Sequence, residues 1–326
     1  MRRLIVAGRS ARALAESASR AGWEVTALDA SGDLDLEAFA EVVTLGHDRR
    51  RPWTPQAAAN VAAVVPADAA AYTADMENHP LAVAKLAEGR RLLGNDAAVL
   101  EQVRDPVALT AALRARGLPA PDVRTEPAPG SSPGSWLVKP RQSHGGIGIE
   151  RWNPGIRVPA GCVLQARITG RPGSLLFAAD GKDAVPLGLT RKLIGVRGFG
   201  GGGFRYCGSV LGSPTRPCFD DHADVVDAAL AVAQALTEEF GLVGVNGLDF
   251  VLCGGTPWPI ELNPRYTSAM ELLERAHGVS VFDIHASACE GRLPRAELAY
   301  RPASVAYGKA FVYARRAGTL GDTRPW

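Results

Sequence analysis

Short apolar runs and helix-periodic stretches alternate through the first seventy residues. Leu4-Ile-Val-Ala-Gly8 has the composition of a buried strand, and Ser10 then stands as an N-cap for a helix over 11–21 that stops at Gly22. Trp23 to Leu28 predicts a second strand with Asp29 at its end; Val42 to Leu45 and Val61 to Val65 predict two more. Strand–helix alternation of this kind predicts a small parallel α/β domain. The turn Gly8-Arg9-Ser10 is expected to be structural rather than an anion cradle.

Three helical patterns follow. They cover Pro80 to Leu92 with Asn78 as cap, Asp96 to Val103, and Pro106 to Arg116 with Asp105 as cap. Gly117, Pro119 and Pro121 end the last of them, and 126–134 is a Pro/Gly/Ser-rich loop. Residues 136–210 are β-rich. Within them Gly198–Tyr206 holds too many glycines for a rigid strand, and is either a substrate-contacting loop or a surface hairpin. Asp224 to Phe240 predicts a long amphipathic helix ended by Gly241, with Glu238 and Glu239 facing solvent. No internal repeat is present.

The stretch 246–265 carries the clearest chemistry. Two apolar strands flank a Gly-Gly-Thr turn, and a three-residue loop over 254–256 would set Asp249 across from Glu261. Alternation along the strand then puts Asn263 on the same face. Two carboxylates so close repel unless a cation sits between them, and Mg²⁺ shared with substrate phosphates suits such oxygen ligands. A two-residue turn would shift the register and part the two acids. The alternative is an ordinary amphipathic hairpin whose acids are solvated or paired with Arg265.

Upstream, the strand Trp136-Leu-Val-Lys139 runs into a loop containing Ser143, His144, Gly145, Gly146 and Gly148. Glycines let backbone N–H groups approach phosphate oxygens, and a lysine adds a point charge. Lys139 precedes the glycines, so this is no Walker loop. The loop leads toward a strand, so it is no Rossmann fingerprint either. The chain has five lysines (Lys85, Lys139, Lys182, Lys192, Lys309) within 36 Lys+Arg, which makes one at the mouth of a glycine loop suggestive.

Together these residues resemble the ATP-grasp superfamily. The resemblance implies a mixed α+β and α/β fold, with an N-terminal Rossmann-like α/β domain and two α+β subdomains sandwiching ATP. It implies that Lys139 contacts phosphate and that Ser143 to Gly148 form a mobile phosphate loop. Val163 to Ile168, with Gln165, Ala166 and Ile168, matches the hinge that meets adenine. Asp249, Glu261 and Asn263 match the Mg²⁺ ligands, with Mn²⁺ a compatible ion, and Arg265 and Arg205 are candidate substrate-carboxylate contacts. The Glu261-Leu-Asn-Pro-Arg265 run, Glu77-Asn78, Leu93-Gly94-Asn95 and Phe204-Arg-Tyr206 are most similar to a branch of ATP-dependent carboligases. Some of its members are linked to methanopterin- and methanofuran-type one-carbon cofactor synthesis, and related enzymes join glutamate to amines.

That resemblance implies a carboxylate–amine ligase working through an acyl phosphate and releasing ADP and phosphate. Its partners would be small-molecule acids and amines, with a homodimer compatible. The implied organisation is a domain over 1–95, a small subdomain over 96–165, a large one over 166–300 and a tail over 301–326. Two family features depart. Asp105 is followed by Pro106 where relatives carry a second phosphate lysine, so that contact is either missing or supplied by an arginine such as Arg104. Gly170–Ser174 offers no ribose-binding glutamate. These gaps motivate a second reading, a nucleotide-binding sensor or partner subunit. A third is a phosphotransferase or carboxylating enzyme on the same scaffold.

Composition narrows the classes further. A net charge of +2 with dispersed arginines, and 6% aromatic residues, argue against a nucleic-acid platform. Five dispersed cysteines without a Cys-x-x-Cys pair predict reduced thiols rather than a zinc site or a disulfide framework. The apolar run after Met1-Arg-Arg is too short for a signal peptide and no stretch is long enough to span a membrane, so the expectation is a cytoplasmic protein.

Overall fold

A computed structural model describes residues 2–46, 52–126, 131–295, 300–301 and 303–318. Part of the expected 126–134 loop, and the polar ending beyond 318, lie outside these. Among the described residues there are three sheets.

The first is parallel, with strand order β3-β2-β1-β4-β5. It comprises β1 (Arg2–Gly8), β2 (Trp23–Asp29), β3 (Glu41–Thr44), β4 (Ala69–Tyr72) and β5 (Arg91–Leu92). Helices α1 (Arg12–Arg20), α2 (Pro55–Ala62) and α3 (Pro80–Leu86) connect them. Val61 to Val65 is not a strand. It closes α2, and the strand that follows is the alanine-rich β4, whose small side chains give no β-branched signal. Ser10 does not cap α1; the Asp29 carboxylate at the end of β2 accepts from Ala11 N instead (2.7 Å). Likewise α3 stops at Leu86 and has no Asn78 side-chain cap, the chain turning at Gly89 (φ +71°) into β5.

Helices α4 (Ala97–Val103) and α5 (Pro106–Ala115) follow, capped by Asp96 and Asp105, which accept from Val99 N and Val107 N. The second sheet is antiparallel with order β6-β9-β7-β8: β6 (Val123–Arg124), β7 (Trp136–Pro140), β8 (Glu150–Arg151) and β9 (Cys162–Ala166).

The third sheet has six antiparallel strands ordered β14-β13-β10-β11-β12-β15. They are β10 (Arg171–Asp180), β11 (Ala184–Ile194), β12 (Tyr206–Leu211), β13 (Val243–Cys253), β14 (Thr256–Asn263) and β15 (Tyr307–Ala310). Thus part of the segment read as a tail adds the edge strand of this sheet. One face packs Leu175, Phe177, Leu248, Phe250 and Leu262 against the long helix α6 (His222–Phe240). The opposite face packs Leu176, Ala178 and Val245 near α7 (Met270–His277), α8 (Val281–Ala288) and α1. Alternation along β13 and β14 sends Asp249, Glu261 and Asn263 to this second face. His285 on α8 is a structural histidine: its Nδ1 accepts from Val245 N (2.9 Å), and Nε2 lies 3.0 Å from the Leu93 carbonyl.

Candidate active site

The β13–β14 turn has two residues, not three. Gly254 and Gly255 take φ of +57° and +78°, the double left-handed turn that fits the twist of a tight hairpin, and Cys253 pairs with Thr256. Continued unbroken, that register would set Asp249 opposite Ile260. A β-bulge between Phe250 and Asp249 takes up Ile260 as an extra residue, so that Asp249 pairs with Glu261 and Gly247 with Asn263. The expected pairing of acids is therefore present for a reason the sequence reading did not contain. The bulge also frees the Ile260 carbonyl, which accepts from Lys139 Nζ at 2.7 Å and Gln165 Nε2 at 3.3 Å.

Cations crowd the two acids. Lys192 on β11 forms an ion pair with Asp249, whose Oδ2 also accepts from Asn263 Nδ2 (3.2 Å). Arg104 at the end of α4 donates to Glu261 Oε1 (2.9 Å). Burial alone would raise the Glu261 carboxyl, but Lys139, Arg104 and Lys192 outweigh it and hold it at about 2. Burial pushes the Lys139 ammonium down, with only part of this returned by Glu261. Burial is overcome at Lys192, where Asp249 drives the ammonium up. Three cations against two carboxylates leave a buried excess of positive charge, an arrangement that favours an anionic ligand. Arg265 is already committed: its Nε donates to buried Glu77 (2.7 Å) and its Nη2 to Asn263 Oδ1 (3.3 Å).

The glycine loop is fastened at several points. Ser143 O accepts from Arg104 Nη2 (3.2 Å), and Gly145 O accepts from Tyr206 N (2.9 Å). A Cβ on Gly146 (φ +74°) would lie 2.0 Å from the Phe204 carbonyl oxygen, so only glycine permits that approach.

These groups line one cavity of about 680 Å³. Across the floor, Glu261, Asp249 and Ser174 lie in register on β14, β13 and β10; Lys192, Ser209 and Lys309 lie in register on β11, β12 and β15. All six face the cavity. His144, Gly145 and Gly146 of the loop, and Gln165, Ala166 and Ile168 of the hinge segment, also line it, whereas Ser143 and Gly148 do not. Arg9, Ser10 and Thr73 enter from the ends of β1 and β4, where the order of the parallel sheet reverses, so the turn expected to be merely structural reaches the cavity. Arg205 does not. It is exposed, with its guanidinium over the Tyr313 ring (4.7 Å), because the next residue, Tyr206 at the start of β12, takes the inward position.

Lys192 and Lys309 are the residues sequence reasoning missed. The available signal was lysine scarcity: three of the chain's five lysines face this cavity. Among the described residues no group of three or more His, Cys, Asp or Glu could by itself hold a metal. Two carboxylates with an amide oxygen still suit Mg²⁺, an ion that usually completes its shell with water and phosphate oxygens.

Residues 103–269, just over half of the chain, match the family model of the ATP-grasp domain. The chain belongs to the ATP-grasp family. No curated protein matches it. Among solved structures it is similar to pyruvate carboxylase T882A of Rhizobium etli with acetyl coenzyme-A (TM-score 0.71, 17% identity), covering 92% of this chain and 30% of that one. The ATP-grasp chain thus spans less than a third of that carboxylase. A putative ATP-grasp superfamily protein of Archaeoglobus fulgidus is matched over 96% of this chain and 100% of its own (TM-score 0.63, 20% identity). The biotin carboxylase domain of Hydrogenobacter thermophilus 2-oxoglutarate carboxylase, a dimer with MgADP, ADP and bicarbonate, is matched over 93% and 72% (TM-score 0.68, 15% identity). At these identities the likeness is one of fold. All five cysteines are unpaired, and no described helix is long and apolar enough to cross a membrane.

Proposed function

We propose that the protein is an ATP-dependent carboxylate–amine ligase that proceeds through an acyl phosphate and releases ADP and phosphate. The observation that carries this reading is the in-register pairing of Asp249 with Glu261 beside the buried ammonium of Lys139 and the half-buried one of Lys192. Asp249, Glu261 and Asn263 would hold Mg²⁺, which when bound neutralises phosphate charge. Lys139, Lys192 and the N–H groups around Gly145 and Gly146 would orient the nucleotide's phosphates. Gln165, Ala166 and Ile168 would border the adenine.

The chemistry needs positioning more than a protein nucleophile. A substrate carboxylate oxygen bonds to the γ-phosphorus as the bond to the ADP oxygen breaks. The amine nitrogen then bonds to the acyl carbon, phosphate leaves, and the amine gives up a proton. The glycine loop, fastened to Tyr206 and Arg104 and packed closely on Phe204, would exclude water from the acyl phosphate. Arg265, held by Glu77 and the Tyr266 carbonyl, would fix Asn263 in place beside the metal. Lys192 takes the role that the missing lysine after Asp105 leaves open, since Arg104 is spent on Glu261, Asn78 and Ser143.

The finer expectation of a glutamate-like acid in one-carbon cofactor synthesis rests on motif resemblance, and the Tyr206 and Phe311 rings that line the cavity argue for a different acid. Single-turnover analysis with radiolabelled ATP tests the reaction class. ADP and phosphate should appear in equal amounts, and formation of AMP and pyrophosphate would exclude the acyl-phosphate route.

A further inference from the structure

The cavity floor is divided by charge. Its β13–β14 end carries Asp249 and Glu261, whereas its β11–β12–β15 end carries Lys192, Ser209 and Lys309. Over that basic end stand two aromatic rings in a row. Lys192 Nζ lies 5.0 Å from the Tyr206 ring centroid, Tyr206 lies 5.6 Å from Phe311 at a 50° tilt, and Lys309 Nζ lies 5.4 Å beyond, over Phe311.

The wall is built rather than incidental. Tyr206 Oη bonds with Ser209 Oγ (2.9 Å) and Ser268 Oγ (3.1 Å), which fixes the ring plane. Phe311 N donates to Cys207 O (2.9 Å), Tyr313 N to Phe199 O (2.8 Å) and Tyr313 Oη to Tyr206 O (2.7 Å). Extended alternation turns Lys309, Phe311 and Tyr313 toward the cavity and Val312 outward, 75% exposed. Phe311 is nevertheless 36% exposed, an apolar ring left uncovered beside a locked tyrosine. Both lysines of the lane are paired, Lys309 with Glu271, which also takes Arg12, and Lys192 with Asp249; a metal held by Asp249 would leave Lys192 as the cation released to an acid.

We propose that this half of the floor binds the carboxylic-acid substrate, and that the acid carries a flat apolar body: an aryl or heteroaryl acid. Its carboxylate meets Lys192, next to the phosphate site, and its ring lies on Tyr206 and Phe311. The proposal rests on the ligase reading for the fate of the acid, but acid binding is measurable without turnover.

Isothermal titration of the full chain with 3-phenylpropanoate, hexanoate and glutarate, with and without MgADP, tests it. Phenylpropanoate should bind about tenfold tighter than either aliphatic acid, the margin expected when a ring adds aromatic contacts to burial. Phe311→Leu keeps apolar bulk and should erase that margin, with MgADP binding as the check on folding. Equal affinities, a preference for glutarate, no binding of phenylpropanoate at millimolar concentration, or a margin that survives in Phe311→Leu would each overturn the proposal. The comparison among probes in the unmodified protein stands even where the variant fails to fold. The ligase reading fails separately, on the nucleotide products.

Discussion

Lys139 donates to the carbonyl oxygen of Ile260, and Ile260 is the extra residue by which β14 outruns β13. One irregularity thus sets the acids opposite each other and gives the buried lysine a backbone acceptor. A carbonyl satisfies one of three ammonium donors, leaving the rest for phosphate. Lys139→Met should weaken ATP binding by about 10- to 100-fold, the range for losing a charge-assisted hydrogen bond. Equilibrium titration with ATP checks this, and an unchanged affinity would remove Lys139 from the site.

Glu77 is 1% exposed and pairs with Arg265 across two segments far apart in sequence. Removing one partner leaves a buried charge alone, so Glu77→Met should cost about 3–5 kcal/mol of stability in urea denaturation. The double variant Glu77→Met/Arg265→Met should regain much of that loss. If the two single losses simply add, the side chains do not depend on each other as described.

Gly146→Ala would place a methyl group against the Phe204 carbonyl in a backbone region that L side chains disfavour. The glycine loop should be displaced, lowering turnover about tenfold or more, with little change in melting temperature. A fully active variant would mean that this approach of loop to loop is dispensable.

His285 titrates inside the core. Burial depresses its pKa from the ordinary 6.5 to about 4, so between these values the unfolded chain binds a proton that the folded one refuses. Stability is then complete above pH 6.5 and falls as pH drops toward 4, by about 3 kcal/mol from this residue. Glu261 and Glu271, both held at about 2, extend the loss below their ordinary 4.5. Denaturation of His285→Asn across this range should show a flatter profile from 6.5 to 4 and the same decline below. An identical profile in both proteins would show that His285 is not the group responsible.

Much of the site is visible in the sequence because carboxylates, a scarce lysine and glycines on β-like segments are local signals. The hairpin acids and the glycine loop are of that kind. Lys192 and Lys309 are not, since neither carries a motif and only the pairing of β11 with β12 and β12 with β15 brings them to the cavity. The bulge at Ile260 is likewise invisible, because nothing in Trp-Pro-Ile-Glu-Leu marks which residue the ladder will skip. Arg205 was assigned by its neighbourhood in the chain, whereas strand alternation gave the inward position to Tyr206. In the parallel sheet, β4 escaped notice because alanines carry little periodic contrast.

The most direct measurement of the central claim is Mg²⁺-dependent ADP release screened over carboxylic acids paired with amines, in the unmodified protein and in Asp249→Asn and Glu261→Gln. ADP release should require an acid and an amine together, with amide formed in equal amount, and should fall by orders of magnitude in both variants. ATP bound without release across the screen, or release indifferent to both substitutions, would contradict it.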